Sequence, residues 1–123
     1  MNQSNNNPKN LLKNKCFKFS IDIMHFAKSF KFDSINHILL NQLVRSATSV
    51  GANIVEAFGS GTKKGFLNYF SIAYKSAKET IYWLYIFRET KIGDQKELEK
   101  LIEQCTQLNK MIAASILTIK GKR

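Results

Sequence analysis

NQLVRSATSVGANIVE, residues Asn41 to Glu56, reads as the middle of a long helix, and the faces of that helix set the terms for the rest of the chain. At helical spacing Gln42, Arg45, Ser49, Asn53 and Glu56 share one stripe. Leu43, Ala47, Val50, Ile54 and Ala57 form an apolar stripe beside it. Ser46, Ala47, Ser49, Gly51 and Ala52 crowd the centre with small side chains, which let another helix approach closely. Glycine inside an exposed helix costs up to ~1 kcal/mol against alanine, so a close backbone approach is a reason to keep Gly51. Arg45 and Glu56 lie about 16 Å apart along the axis, too far to pair with each other. Each calls for a partner on another helix or another chain. The pattern is that of a packed interface with polar pairs.

Working outward, this helix is expected over residues 35–58, with Asp33 or Ser34 as its cap. Gly59-Ser60-Gly61 ends it, Gly59 taking the left-handed conformation, and Thr62 caps the next helix over 63–90. There Phe66, Phe70, Ala73, Ala77, Ile81, Leu84 and Phe87 make a core stripe, yet Tyr69, Ile72, Tyr74, Tyr82, Trp83, Tyr85 and Ile86 lie on other sides. A helix apolar nearly all round is buried on more than one side, which points to subunit contacts involving Trp83. Base stacking is the alternative use of such aromatics. Glu79 is placed to pair with Lys75 one turn away. Before the break at 32–34, residues 11–31 form an amphipathic helix: Leu12, Cys16, Phe19, Ile23, Phe26, Ala27 and Phe30 inside, lysines outside. After Gly93 and a capping Asp94, residues 95–119 form the most regular helix, from Leu98 through Cys105 and Ile112 to Ile119. Residues 1–10 read as a disordered polar tail. No stretch alternates as a half-buried strand would. The expectation is an all-α, antiparallel up-down-up-down four-helix bundle, one domain over 11–120.

Size and composition narrow the function. The chain has 123 residues, 44% of them hydrophobic, enough for one core. Nineteen Lys and Arg against nine Asp and Glu give +10, with half of that excess in residues 1–31. Such a balance favours a polyanion as partner. Two basic groups stand out: Lys13, Lys15, Lys18, Lys28 and Lys31 on the first helix, and Lys63, Lys64, Lys75, Lys78 and Arg88 on the third. They would hold phosphates without reading sequence. No apolar run reaches the roughly 20 residues of a membrane span, and the start is no secretory signal. A cytoplasmic protein with Cys16 and Cys105 as buried thiols is expected.

Chemistry is conspicuous by what is missing. His25 and His37 have no cysteine or carboxylate at a recognised catalytic or metal-ligand spacing, and no Glu-x-x-His pair of the di-iron bundles is present. GSGTKKG lacks the spacing of a phosphate-binding Walker loop. A Glu56–Glu79 pair would be the one carboxylate site to test. No catalytic residue, cofactor or metal is assigned.

The segment QLVRSATSVGANIVEAFGSGTKKGFLNYFSIAYKSAKETIYWLYIFRET resembles the bacterial four helix bundle protein family. That family includes proteins encoded within intervening sequences of the 23S ribosomal RNA gene, and it is related to the accessory variability determinant of diversity-generating retroelements. Gln42-Leu43, Arg45, Ala47-Thr48-Ser49, Ala52-Asn53-Ile54, Glu56-Ala57, the Gly59–Lys64 loop, Phe66, Ile72-Ala73 and Glu79–Leu84 carry the likeness. It departs at the first helix, where Cys16-Phe17-Lys18-Phe19 replaces the usual aromatic opening, and at Gly51, where proline or serine is common. The resemblance implies a homopentamer with a central channel, associated with RNA or, alternatively, with a reverse transcriptase and its template. Arg45, Asn53, Glu56 and Glu79 match the family's polar positions and are assigned to helix or subunit contacts; the stripe and the aromatics read above add Gln42, Ser49 and Trp83 to that set.

Overall fold

The structure, a computed structural model, describes residues 7–31 and 33–121. They form four α-helices: α1 (Pro8–Lys28), α2 (Ser34–Gly59), α3 (Lys63–Glu89) and α4 (Gln95–Ile119), with no strand among the described residues. Each helix packs on its two sequence neighbours, α4 closing back on α1, while across the diagonal the backbones stay apart and only core side chains such as Phe26 and Phe87 meet. Short connections make neighbours antiparallel, so this is the up-down-up-down bundle expected from the sequence.

Three side chains start three helices. Asp33 accepts from the Ile35 and Asn36 N–H groups at 3.0 and 3.1 Å. Thr62 accepts from Gly65 N–H at 3.0 Å, and Asp94 from Glu97 N–H at 3.0 Å. Each satisfies donors that the first turn leaves open, worth about 1 kcal/mol.

The helix limits differ from expectation at several points, each with a local cause. Residues 1–6 of the expected polar tail lie outside the described residues, but residues 8–10 belong to α1. Proline suits a first helical position, where no N–H is needed, and the Asn7 carbonyl accepts from Leu11 N–H at 2.9 Å. At the other end α1 stops at Lys28, because Ser29 turns back: its hydroxyl and N–H both donate to the Phe26 carbonyl. Gly59 stays helical, and the left-handed step falls to Gly61 at φ +77°. Thr90 caps α3, and Gly93, at φ +93°, lies where a Cβ would come within 2.8 Å of the Phe26 ring. Glycine is required there twice, by conformation and by space.

The core follows the stripes. Leu12, Cys16, Phe19, Ile23 and Phe26 from α1 meet Leu43, Ala47, Val50, Ile54 and Ala57 from α2, with the α3 and α4 stripes closing the other sides. Two phenylalanine groups cement the ends: Phe26, Phe30 and Phe87, all edge-on, at one, and Phe58 edge-on to the stacked pair Phe66 and Phe70 at the other. Gly51 meets α1, a built Cβ standing 3.2 Å from the Cys16 Cβ. On α3 the buried set is Phe70, Ala73, Ala77, Thr80, Leu84 and Phe87. Phe66 and Ile81, expected in that stripe, are only half-buried at its margins. Both cysteines are buried and unpaired in a disulfide.

Candidate nucleic-acid interface

Small residues let α2 and α3 meet through a seam of polar pairs. Arg45 Nη2 bonds the Glu79 carboxylate and also donates to Gln42 Oε1 at 2.9 Å. The same Glu79 oxygen accepts from the Trp83 indole at 2.9 Å. Further along the seam, the Thr80 hydroxyl bonds the Ser76 carbonyl at 2.7 Å and lies 2.9 Å, oxygen to oxygen, from the buried Ser46 hydroxyl. Then come Ser49 and Ser76, oxygen to oxygen at 3.0 Å, and Asn53, which donates to Ser49. Glu79 is thus tied to Arg45 and Trp83; Lys75, its expected local partner, makes no ion pair with it. Glu56 is exposed and has no hydrogen bond or ion pair among the described residues. No group of three His, Cys, Asp or Glu capable of holding a metal occurs among the described residues. Sequence pattern alone misses Thr80, because a polar residue there breaks the apolar stripe it belongs to.

The basic residues fall into a different grouping from the two helix faces expected of them. Folding the chain up and down brings the N-terminal half of α1, the 60–62 turn, the start of α3 and the end of α4 to one end of the bundle. Lys13, Lys15, Lys63 and Lys64 collect there with Lys120, and Lys75 lies just short of the midpoint of α3. Lys13 Nζ stands 5.9 Å from the Phe58 ring centre, a contact between α1 and α2 at this end. Of the nine acidic residues only Glu56 lies in this half. The opposite half holds Lys28, Lys31, Lys78 and Arg88, and it also holds the other eight carboxylates. Arg88 is engaged there by Glu89 at 3.0 Å and Glu99 at 3.5 Å, which hold its guanidinium proton above the usual range. Lys18 pairs with Asp22 at 2.9 Å, and Asp22 also accepts from Gln104 of α4. The charge excess is therefore polarised along the bundle axis. The helices taken singly do not reveal this, since lysines are spread along them.

The outward side of α1 is apolar. Phe17, Ile21 and Met24 recur at helical spacing and are 47%, 40% and 40% exposed. Lys28 continues this row one turn beyond Met24. On the diagonal corner, α3 exposes Ile72 and Tyr82, and α2 exposes Ile35 and Ile38 beside it. The i, i+4, i+7 spacing of Phe17, Ile21 and Met24 is a readable signal for a second apolar face on α1.

Comparison with known proteins agrees with this architecture. The sequence model described as 23S rRNA-intervening sequence protein matches residues 9–114. A crystal structure from Bacteroides thetaiotaomicron, of a protein with unknown function from the S23 ribosomal protein family, is similar over 89% of this chain and 97% of its own, with a TM-score of 0.82 and 31% identity. No curated protein sequence matches the chain. No helix among the described residues is long and apolar enough to cross a membrane.

Proposed function

Because the chain belongs to the 23S rRNA-intervening sequence protein family, we propose that it is a non-catalytic, oligomeric RNA-associated protein that holds RNA phosphates with the lysine-rich end of its bundle. The observation that carries this reading is the axial charge separation: lysines from three helices gather at one end with a single carboxylate, while the other end is nearly balanced. Phosphate contacts of this kind give affinity without sequence readout and weaken steeply with salt.

Oligomerisation is the second part of the proposal. Every helix exposes some apolar side chains, with Phe17, Ile21 and Met24 in a row on α1 and Ile72, Tyr82 and Tyr85 on the diagonal helix α3. Surfaces that differ on the two partners make heterologous contacts, which close into rings when the rotation allows. The homopentamer implied by the family likeness is one such ring, and several copies of the basic end would add avidity.

Fluorescence anisotropy with a labelled RNA tests the first part. Reversing Lys13, Lys63 and Lys64 to Glu is expected to weaken binding at least tenfold, and to lower the salt slope by about 0.7–0.9 for each phosphate no longer neutralised. Reversing Lys28, Lys31 and Lys91 at the other end is expected to leave the slope nearly unchanged. An equal weakening by both sets would remove the end-on reading. Binding insensitive to salt would remove phosphate recognition altogether.

A further inference from the structure

Resting on that RNA reading, we infer that the hollow between the α2–α3 turn and the end of α4 receives one unpaired nucleotide of the bound RNA. The hollow has a volume of about 350 Å³, walled by Ala57, Phe58, Phe66 and Ile119 and rimmed by the 60–63 segment. Phe70 stacks on Phe66 with centroids 4.4 Å apart, and Phe58 meets it edge-on, so the Phe66 ring is held in place from two sides. Charge around it has one sign. Lys63 lines the rim, Lys13 stands over Phe58, and no carboxylate lines the hollow.

An apolar, aromatic wall within a cationic surround fits a ligand that carries a flat π-face and a phosphate together. A base in a duplex hides that face in its stack; an unpaired one offers it, and base–aromatic stacking tolerates any sequence. The larger cleft between α1 and α4, about 640 Å³, fits this ligand poorly. Asp22, Glu97 and Glu103 line it beside Lys18 and Lys100, and carboxylates there would repel a phosphate.

The test compares a short blunt RNA duplex with the same duplex bearing a single-stranded overhang that contains 2-aminopurine. The overhang is expected to bind about tenfold tighter, with quenching of the 2-aminopurine as it stacks. Ile119→Met, which extends a longer, non-aromatic side chain into the hollow from the last residue of α4, and Phe66→Leu are each expected to abolish the preference and the quenching while duplex binding stays unchanged. The Ile119→Met variant alters only the final helical residue, so it remains informative if Phe66→Leu fails to fold. Equal affinity for both RNAs in the unaltered protein would overturn the inference and leave the lysine-rich end as a plain phosphate surface. A preference that survives in both variants would overturn it too. If neither RNA binds even at low salt, the RNA reading itself falls, and this inference with it.

Discussion

Glu79 holds two donors from different places, the Arg45 guanidinium across the helix pair and the Trp83 indole one turn along its own helix. Both ends of the ion pair are partly exposed, so the pair alone is worth no more than about 1 kcal/mol. Removing the acceptor also leaves a half-buried indole N–H without its partner. Glu79→Ala is therefore expected to cost about 1–2 kcal/mol in urea denaturation. Glu56→Ala, which breaks no hydrogen bond or ion pair among the described residues, is expected to stay within about 0.5 kcal/mol. The two buried thiols make a sharper case. Burial pushes Cys16 from an ordinary value of 9.0 up to about 12, and Cys105 likewise, with the neighbouring Cys16 adding to it. Above pH 9 the unfolded chain releases these protons while the folded chain keeps them. Stability is then fully present below the unfolded value and falls as pH rises toward 12, by at most about 1.4 kcal/mol per unit for each thiol. Denaturation midpoints at mildly and strongly alkaline pH measure the slope, and a Cys16→Ala, Cys105→Ala variant is expected to flatten it. The same burial keeps both thiols unreactive toward alkylating reagents until the protein unfolds.

At the scale of the helices, Gly51 decides how closely α1 and α2 sit. The space where its side chain would be is occupied by Cys16, whose Cβ lies 3.2 Å and whose carbonyl lies 3.7 Å from a built Cβ. Gly51→Leu has to push one helix off the other along their shared length, and overpacking of this kind costs about 1–3 kcal/mol. A lowered melting temperature with unchanged helix content by circular dichroism is the expected result; an unchanged melting temperature would mean that the two helices part without cost. This level is largely legible in the sequence. Period alone identifies four helices and most of their buried stripes, because core burial repeats with the helical turn whatever the neighbour is. The caps at Thr62 and Asp94 follow from residue type. Pattern does not decide between near-equal local options: whether Gly59 or Gly61 turns left-handed, whether Glu79 pairs with Lys75 or crosses to Arg45, and whether residues 8–10 join the first helix. The last two turn on groups outside the pattern itself, the α2–α3 seam and the Asn7 carbonyl. The candidate phosphate surface is less legible still. Its lysines are visible, but their grouping depends on which helix ends share an end of the bundle.

For the molecule as a whole, the apolar corners and the basic end lead to separate expectations that one set of variants can divide. Phe17, Ile21 and Met24 form a stripe on a helix whose other face already fills the core. A monomer in solution would leave that stripe in water, along with Ile35 and Ile38 of α2 and Tyr82 of α3. Light scattering on nuclease-treated protein is expected to show a homo-oligomer, and the uncharged pair Phe17→Gln with Ile21→Gln is expected to reduce it to monomers without unfolding it, because neither side chain belongs to the core cluster. The monomeric variant keeps every lysine of the basic end, so each protomer should still bind RNA, only more weakly, by the avidity factor that the ring supplied. A fall of tenfold or more in affinity with an unchanged response to Lys63→Glu would tie assembly and RNA binding together through copy number alone. Complete failure to bind on dissociation would instead put the RNA in a site that only the assembled ring creates. A protein already monomeric before mutation would end the ring proposal, and the stripe would then fit a heterologous protein partner, with a reverse transcriptase as the first to try.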